Sequence, residues 1–203
     1  MKGNLLLKKS KVIFASKNKD KHREIAMMLR ETPVDLIFGP EVEPVDVQEK
    51  GKSYSENALL KALAWSRAFN MPALADDSGL EVMALNNWPG IYSARIASDD
   101  ESRIGLVLDR LKGIKERDAR FVASVALVLP KRSQVWLTEG MCYGKITETK
   151  RGYNGFGYDP IFMPCDYDKT FAEMELEEKN ALSHRHIAIK ALCDMLKSQN
   201  VIE

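Results

Sequence analysis

The sequence predicts an α/β protein, in which strands and helices follow one another along the chain. Residues 12–15 are a short apolar run that passes through a polar turn into a helical pattern. Residues 120–129 are apolar on both alternating faces, which is typical of a central strand that is covered on both sides. The chain of 203 residues is long enough for one substantial core, in one large domain or two closely joined ones.

Helices are predicted at four places in the chain. Asn18 can cap the first helix. Ser53 and Glu56 have the spacing of a capping box for the second. The pattern of residues 101–112 predicts the third helix, and Ser183 can cap the last helix. The positions expected to face inward on these helices are Ile25, Met28 and Leu29; Ala58, Leu59, Ala62, Ser66 and Phe69; Ile104, Val107, Leu108 and Leu111; and Ala188, Leu192 and Met195.

The remaining strands are predicted from short apolar runs. Residues 34–38 form the strand after the first helix, and the acidic stretch 39–51 is expected to be a loop. Residues 135–138 return beside the central strand. Residues 139–149, which contain Gly140 and Gly144, are expected to prolong the sheet through a bend or bulge.

Asp76 and Asp77 are adjacent carboxylates between an apolar segment and Gly79. In an extended chain they point to opposite sides, so one would face a cleft while the other orients a neighbour. Asp, Ser and Gly are also ordinary turn residues, and the local sequence by itself favours a polar turn. Both interpretations stay open at this point.

Several cations lie where a helix begins. Lys17, Lys19 and Lys21 follow the first strand, and free backbone N–H groups at a helix N-terminus bind phosphate well. The alternative is a solvated, lysine-rich first turn. No glycine-rich signature is present, so this is not the usual phosphate-binding loop. Asn57 and Lys61 share a helix face, either for a ligand or as a surface pair.

Aromatic and donor-rich segments supply candidates for a planar ligand. Residues 152–160 combine three glycines with three aromatics, suited either to stacking on a base or to packing beneath a loop. His184 and Arg185 lie at the open end of the last helix, where they can donate to a ring oxygen or a phosphate. Arg95 lies at the end of an aromatic loop, and it is predicted either to contact an anion or to belong to a packed turn. Glu49 is predicted to be either a metal ligand or a solvated loop acid.

Composition excludes some classes of partner. A net charge of +1 gives no general attraction to nucleic acid or to anionic membranes. Cys142, Cys165 and Cys193 fit neither a disulfide framework nor a zinc site, so reduced thiols in a cytoplasmic protein are expected. No apolar run near the N-terminus is long enough for a signal peptide or a membrane span.

The chain resembles the Ham1/RdgB-type family of non-canonical purine nucleoside triphosphate pyrophosphatases, also called inosine triphosphate pyrophosphatases, from about Val12 to Leu196. The blocks that carry the resemblance are Ala15-Ser16-Lys17-Asn18 with Lys21 and Glu24; Glu56-Asn57-Ala58 with Lys61-Ala62; residues 75–80; residues 89–95; residues 155–160; and Lys179-Asn180 with Ser183-His184-Arg185. Each block is weak by itself, but their order is highly specific.

The resemblance implies a single domain over residues 1–203, with an elongated, two-lobed fold, a central mixed sheet flanked by helices, and a nucleotide cleft between the lobes. It also implies a homodimer that hydrolyses ITP, dITP and XTP to the monophosphate and pyrophosphate. The residues that it assigns to substrate are Ser16, Lys17, Asn18, Lys19, Asp20 and Lys21 at the phosphates, Ser78, and Phe156, Gly157, Tyr158, Asp159, Lys179, His184 and Arg185 at the nucleotide and its base.

The same resemblance implies that Asp77 is the catalytic base and a ligand of Mg²⁺. The second acidic ligand is left open between Glu49, Glu56 and Asp76. Two residues depart from the family pattern, because Lys17 and His186 stand where glycine is common. The alternatives are a nucleotide-binding protein without catalysis and a pyrophosphatase for modified pyrimidine nucleotides.

Overall fold

The computed structural model describes residues 10–199 and has seven strands in one mixed sheet. The strands are β1 (Ser10–Phe14), β2 (Val34–Phe38), β3 (Ala73–Val82), β4 (Trp88–Pro89), β5 (Asp118–Leu129), β6 (Gln134–Ile146) and β7 (Phe162–Pro164). The α-helices are α1 (Lys19–Met28), α2 (Tyr54–Phe69), α3 (Asp100–Arg110), α4 (Leu176–Leu182) and α5 (His184–Ser198).

The sheet has the order β2-β1-β3-β5-β6-β7, and β4 pairs with β3 beyond the end of β1. β1 is parallel to both of its neighbours, whereas β3, β5, β6 and β7 are joined by antiparallel pairs. The three long strands β3, β5 and β6 therefore extend through both lobes of the curled sheet.

Three apolar clusters form the core. The first packs α1 and α5 on one face of the sheet and includes Phe14, Ile25, Leu74, Leu127 and Leu192. The second packs α2 on the other face and includes Ile13, Ala62, Trp65, Ala75 and Ala126. The third fills the other lobe around α3 and includes Leu80, Ile104, Phe121, Phe162 and Phe171. In the first part of β3, Leu74 therefore faces α1 and α5, and Ala73 and Ala75 face α2, whereas Leu80 and Val82 face the third cluster.

Most of the predicted elements are confirmed. The strand at residues 34–38 has the predicted bounds, the central strand covers residues 118–129, and Asn18 and Ser53 cap α1 and α2. Glu56 reaches back to the N–H of Lys52 rather than to that of Ser53. On α5 the buried position is Leu196, whereas Met195 is 39% exposed, so the inward position predicted there is wrong.

The turn that local composition favours at Asp76 is wrong, because β3 runs without interruption from Ala73 to Val82 and pairs with β5 along its whole length. Gly79 serves close packing instead: a Cβ there would meet the carbonyl of Gly90 and the Oγ of Ser93. Pairing with a central strand outweighs the turn preference of these residues.

The sheet continues to Ile146 as predicted. Of the predicted bend or bulge, the bulge is absent, because β6 pairs with β5 in one constant register. At Gly140 a Cβ would meet the backbone of His184 and Ala188, so this glycine lets α5 lie directly on the strand. Within residues 10–199, no helix has the length and apolar character needed to cross a membrane.

Candidate active site

A cleft opens where β1 ends and β3 continues. The pairing of β1 with β3 stops at Leu74, and that of β4 with β3 begins at Glu81. Between these points, the edge of β3 that carries Asp76 and Asp77 borders the cleft. One end of the cleft, of about 300 Å³, is lined mostly by charged and polar side chains. The other end, of about 140 Å³, adds the aromatic residues Phe121, Phe156 and His184.

The polar segment before α1 borders the charged end. The side chain of Asn18 accepts from the N–H of Lys21 at 2.9 Å, and the Oγ of Ser16 accepts from the N–H of Asn18 at 3.2 Å. Lys17 is exposed and pairs with Asp46 across the cleft, at 3.4 Å. Ser16, Lys17, Asn18 and Lys21 line the charged end, and Asp20 the aromatic end. Lys19 is exposed and lies outside both linings.

Asp77 lies on the α2 face of the sheet and is 7% exposed. Its two oxygens accept from Lys61 Nζ at 2.9 Å and from Asn57 Nδ2 at 3.3 Å. Lys61 also contacts Glu49 at 3.1 Å, so a single ammonium joins two carboxylates. Burial raises the pKa of Asp77, and the opposing effect of Lys61 does not cancel it.

Asp76 lies on the opposite face, between α1 and α5, and is fully buried. Its Oδ2 is 2.6 Å from Lys21 Nζ and 3.6 Å from Arg185 Nε, and it also accepts from the Oγ of Ser78 at 3.2 Å. Burial acts to raise the pKa of Asp76, but Lys21 and Arg185 outweigh it and hold the pKa well below its usual value.

A buried charge network supports the aromatic end. Glu24 on α1 accepts from Lys179 Nζ at 2.7 Å and from Arg185 Nη1 at 2.9 Å. Lys179 also binds Asp159, whose Oδ2 accepts from the N–H of Phe156 at 2.9 Å. The ammonium of Lys179 lies 4.9 Å from the ring centroid of Phe156. Lys179 and Asp159 are therefore almost fully enclosed and hold the segment that carries Phe156.

The His184 ring stacks on Phe121, with ring centroids 4.7 Å apart and an interplanar angle of 9°. Neither ring nitrogen has a hydrogen-bond partner among the described residues. Burial and the neighbouring Arg185 keep the pKa of His184 well below its usual value, so the imidazole is neutral at pH 7. Tyr158 is also buried, and its hydroxyl donates to the carbonyl of Ser93 at 2.8 Å.

The lining of the cleft is balanced in charge. Its six cations are Lys17, Lys21, Lys61, Arg95, Arg103 and Arg185, and its six carboxylates are Asp20, Asp46, Glu49, Asp77, Asp100 and Asp159. A ligand with several negative charges would therefore bring in an excess of negative charge. A divalent cation that entered with the ligand would compensate for it.

Two of the four candidate metal ligands lie together. Asp77 and Glu49 contact the same Lys61 nitrogen, whereas Asp76 faces the other side of the sheet. Glu56 is exposed and bonded to the backbone of Lys52. Within residues 10–199 no group of three metal-binding side chains converges. Mg²⁺ characteristically takes one or two carboxylates and completes its coordination with water and substrate phosphates, so this donor set fits it.

Two residues that support the cleft, Glu24 and Asp100, were not predicted as such from the sequence. Glu24 stands out in the sequence only as part of a matching block, and nothing in its spacing indicates that it binds Lys179 and Arg185 from a distant element. Asp100 is another: its Oδ2 accepts from the N–H of Gly157 at 2.7 Å. The pattern of α3 gives no sign of this contact, because acidic residues are common in a first helical turn.

Fold and cleft together define the class of protein: an elongated α/β protein with a mixed sheet, whose cleft joins a charged end to an aromatic end. The model of the Ham1 family matches residues 12–195. The chain belongs to the Ham1 family.

Relatives and solved structures agree with this membership. The dITP/XTP pyrophosphatase of Halalkalibacterium halodurans is 45% identical over 188 residues, which cover 89% of this chain and 95% of the relative. The dITP/XTP pyrophosphatase of Aquifex aeolicus is 40% identical over 200 residues, which cover 93% of this chain and 97% of the relative. The structure of the Staphylococcus aureus Ham1 protein is similar with a TM-score of 0.83 and 38% identity, covering 93% of this chain and 99% of that one. Membership implies a divalent metal cofactor.

Proposed function

We propose that this protein hydrolyses non-canonical purine nucleoside triphosphates, namely ITP, dITP and XTP, to the nucleoside monophosphate and pyrophosphate. The relatives at 40 to 45% identity are named for dITP and XTP, which supports the substrate class. The observation that carries the proposal is Asp77, a nearly buried carboxylate with a raised pKa beside Lys61 in a cleft whose other end is aromatic.

Asp77 is the proposed general base. A raised pKa strengthens a carboxylate as a proton acceptor, and Asn57 and Lys61 hold both of its oxygens in place. It would take a proton from the water that attacks the α-phosphorus, and pyrophosphate would leave on the opposite side of that atom. The attacking water and the leaving oxygen must lie in line, so a fixed carboxylate is better suited than a mobile one.

The phosphates would lie at the charged end of the cleft. The N-terminus of α1 faces this end with Asn18 as its cap, and Lys21 and Lys61 lie close enough to share the phosphate charge. Lys17 is a weaker contributor because its ammonium is exposed and already pairs with Asp46. Lys19 is outside the lining of the cleft, and we therefore give it no part in binding.

Asp77 and Glu49 are the residues that we propose as ligands of Mg²⁺. When bound, this ion neutralises charge on the phosphate oxygens and stabilises the transition state. Asp76 has a different role, because it holds Lys21 and Arg185 on the other face of β3. Ser78 lies next to this pair, and its hydroxyl accepts from Arg185 Nη2 at 2.8 Å.

The base would lie at the aromatic end. Phe156 is half-buried and would stack on the purine, while the neutral His184 and the cation Arg185 would donate to the purine 6-oxygen. Adenine carries an amino donor at that position, so both donors would lose their acceptor in a buried site. Lys179 and Asp159 would act through Phe156, because Lys179 binds Asp159 and Asp159 accepts from the N–H of Phe156.

The experiment is a pyrophosphate-release assay with ITP, dITP, XTP, GTP, ATP and dUTP, each with Mg²⁺ and with a chelator. The expected result is rapid release from ITP, dITP and XTP, slow release from GTP, ATP and dUTP, and none after chelation. Tight binding of ITP without release would favour a nucleotide-binding protein. Faster release from dUTP would favour the pyrimidine alternative.

We also propose a homodimer and a cytoplasmic location, as the family resemblance suggests. Cys142, Cys165 and Cys193 are free thiols in the structure, which is compatible with a reducing compartment. Light scattering on the purified protein tests the dimer, and a mass of one chain would contradict it.

A further inference from the structure

The segment that carries Phe156 has glycines at three positions of positive φ: Gly152 at 80°, Gly155 at 75° and Gly157 at 62°. Glycine makes such a segment easy to bend, so its shape depends on what its backbone contacts. Two consecutive N–H groups are held by carboxylates from different elements. The N–H of Phe156 donates to Asp159, and that of Gly157 donates to Asp100.

Asp100 differs from Asp159 in its surroundings. Asp159 is 3% exposed and belongs to the buried network with Lys179. The side chain of Asp100 is 44% exposed, and its Oδ1 accepts from Arg103 Nη1 at 2.7 Å. Arg103 in turn donates from Nε to the carbonyl of Ala97 at 3.0 Å. Asp100 is thus fixed in position without being part of the core.

We propose that Asp100 is a positioning residue that, held by Arg103, fixes Gly157 and thereby the ring of Phe156 at the aromatic end of the cleft. This inference rests on the proposed function. Without the carboxylate, the N–H of Gly157 loses this partner, and the binding of a planar base must then order this part of the segment. Asp100 should therefore determine the affinity for the base, while the chemical step at Asp77 stays unchanged.

Asp100→Ala tests this directly in steady-state hydrolysis of ITP. The hydrogen bond is to a charged but partly exposed acceptor, so we expect KM to rise about three- to tenfold, with kcat changed by less than about twofold. Asp100→Asn keeps an oxygen that can accept from the N–H of Gly157, so its KM should be close to that of wild type. An equal loss of kcat and kcat/KM in Asp100→Ala would overturn the proposal.

Two other variants of the same helical region separate positioning from simple destabilisation. Asp99→Ala removes the N-cap of α3, whose carboxylate accepts from the N–H of Ser102 at 2.8 Å, and should lower the melting temperature without raising KM. Asp109→Ala removes an exposed pair with Lys112 and should change neither. A KM increase in Asp99→Ala equal to that in Asp100→Ala would reject a specific role for Asp100.

A double-mutant cycle with Phe156→Ala identifies the route of the effect. If Asp100 acts through Phe156, Asp100→Ala should have little further effect on KM once the ring is removed. Full additivity would overturn the proposal. Calorimetry with inosine monophosphate repeats the cycle without turnover. If Asp100→Ala weakens this binding only when Phe156 is present, the positioning role is supported, whether or not the protein is an enzyme. If wild-type protein releases no pyrophosphate, the proposed function alone is rejected.

Discussion

Asp76 and Asp77 are adjacent in β3 and chemically identical, yet the two faces of the sheet give them opposite properties. Asp76 contacts two cations, Lys21 and Arg185, and its pKa is lowered. Asp77 contacts Lys61, which it shares with Glu49, and its pKa is raised. Burial acts to raise both pKa values. Lys21 and Arg185 outweigh it at Asp76, whereas at Asp77 the effect of Lys61 does not, and the like charge of Glu49 adds to burial.

This difference gives the two residues separate roles. A carboxylate that is held anionic by two buried cations is a poor proton acceptor, but it fixes those cations in place. A carboxylate with a raised pKa at the edge of the cleft is a better base. Substitutions on the two faces should therefore affect different quantities, which are turnover on the face of Asp77 and the free energy of unfolding on the face of Asp76.

The largest effect is expected for Asp77→Asn. The amide preserves the shape of the side chain but cannot accept the proton, so kcat for pyrophosphate release from ITP should fall by about 10²- to 10⁴-fold. The melting temperature should change little. The control is Asp118→Asn, at an exposed carboxylate 3.9 Å from Lys145, which should keep wild-type turnover. Wild-type kcat in Asp77→Asn would remove Asp77 from the mechanism.

Asp76→Asn should act mainly on stability. It removes the ion pair of Lys21 and one of the two carboxylate partners of Arg185. This is expected to destabilise the fold by about 3 kcal/mol, or roughly 6–12 °C in melting temperature for a chain of this length. Thermal unfolding followed by circular dichroism measures this. The same Asp118→Asn control should melt within about 1 °C of wild type. An unchanged melting temperature in Asp76→Asn would show that the pairs on this face contribute no net stability.

The fold was largely predictable from the sequence because its elements have clear local signals. Residues 34–38 are a mostly apolar run bounded by Pro33 and Gly39, which indicates a strand. Asn18, Ser53 and Ser183 are strong helix caps. The strand through Asp76 and Asp77 was not predictable in this way. Its polar residues favour a turn locally, and only pairing with β5, which is distant in sequence, keeps them extended.

The candidate site was predictable in its residue types but not in its partners. Asn57 and Lys61 are recognisable in the sequence as a pair on one helix face, and the structure adds that both bind Asp77. Glu24 lies 155 positions from Lys179 and 161 from Arg185 in the sequence, so no local spacing reveals their contacts. Likewise, the three lysines before and within α1 look alike in sequence, although only Lys21 is drawn inward, by Asp76.

A smaller effect is expected for Phe156→Ala, at the far end of the cleft from Asp77. Loss of base stacking should raise KM for ITP by about tenfold with little change in kcat. Tyr153→Ala is the matched control, because Tyr153 is a fully exposed aromatic of the same segment. Saturation curves with the same KM in Phe156→Ala and wild type would contradict the stacking role.

The smallest effect concerns the pH dependence of stability through His184. Its pKa in the folded protein lies well below the value of 6.5 expected in the unfolded chain, first because of burial and then because of Arg185. The unfolded chain therefore binds the extra proton first. The contribution of the neutral His184 to stability is complete above pH 6.5. It is lost as the pH falls toward the pKa of the folded protein, by about 1 kcal/mol over the first pH unit.

His184→Phe keeps an aromatic ring at the position that stacks on Phe121 and removes the group that takes up the proton. Urea unfolding from pH 7.5 to pH 5 should show wild type losing stability relative to His184→Phe below pH 6.5. Parallel curves would mean that His184 is not held neutral by the fold.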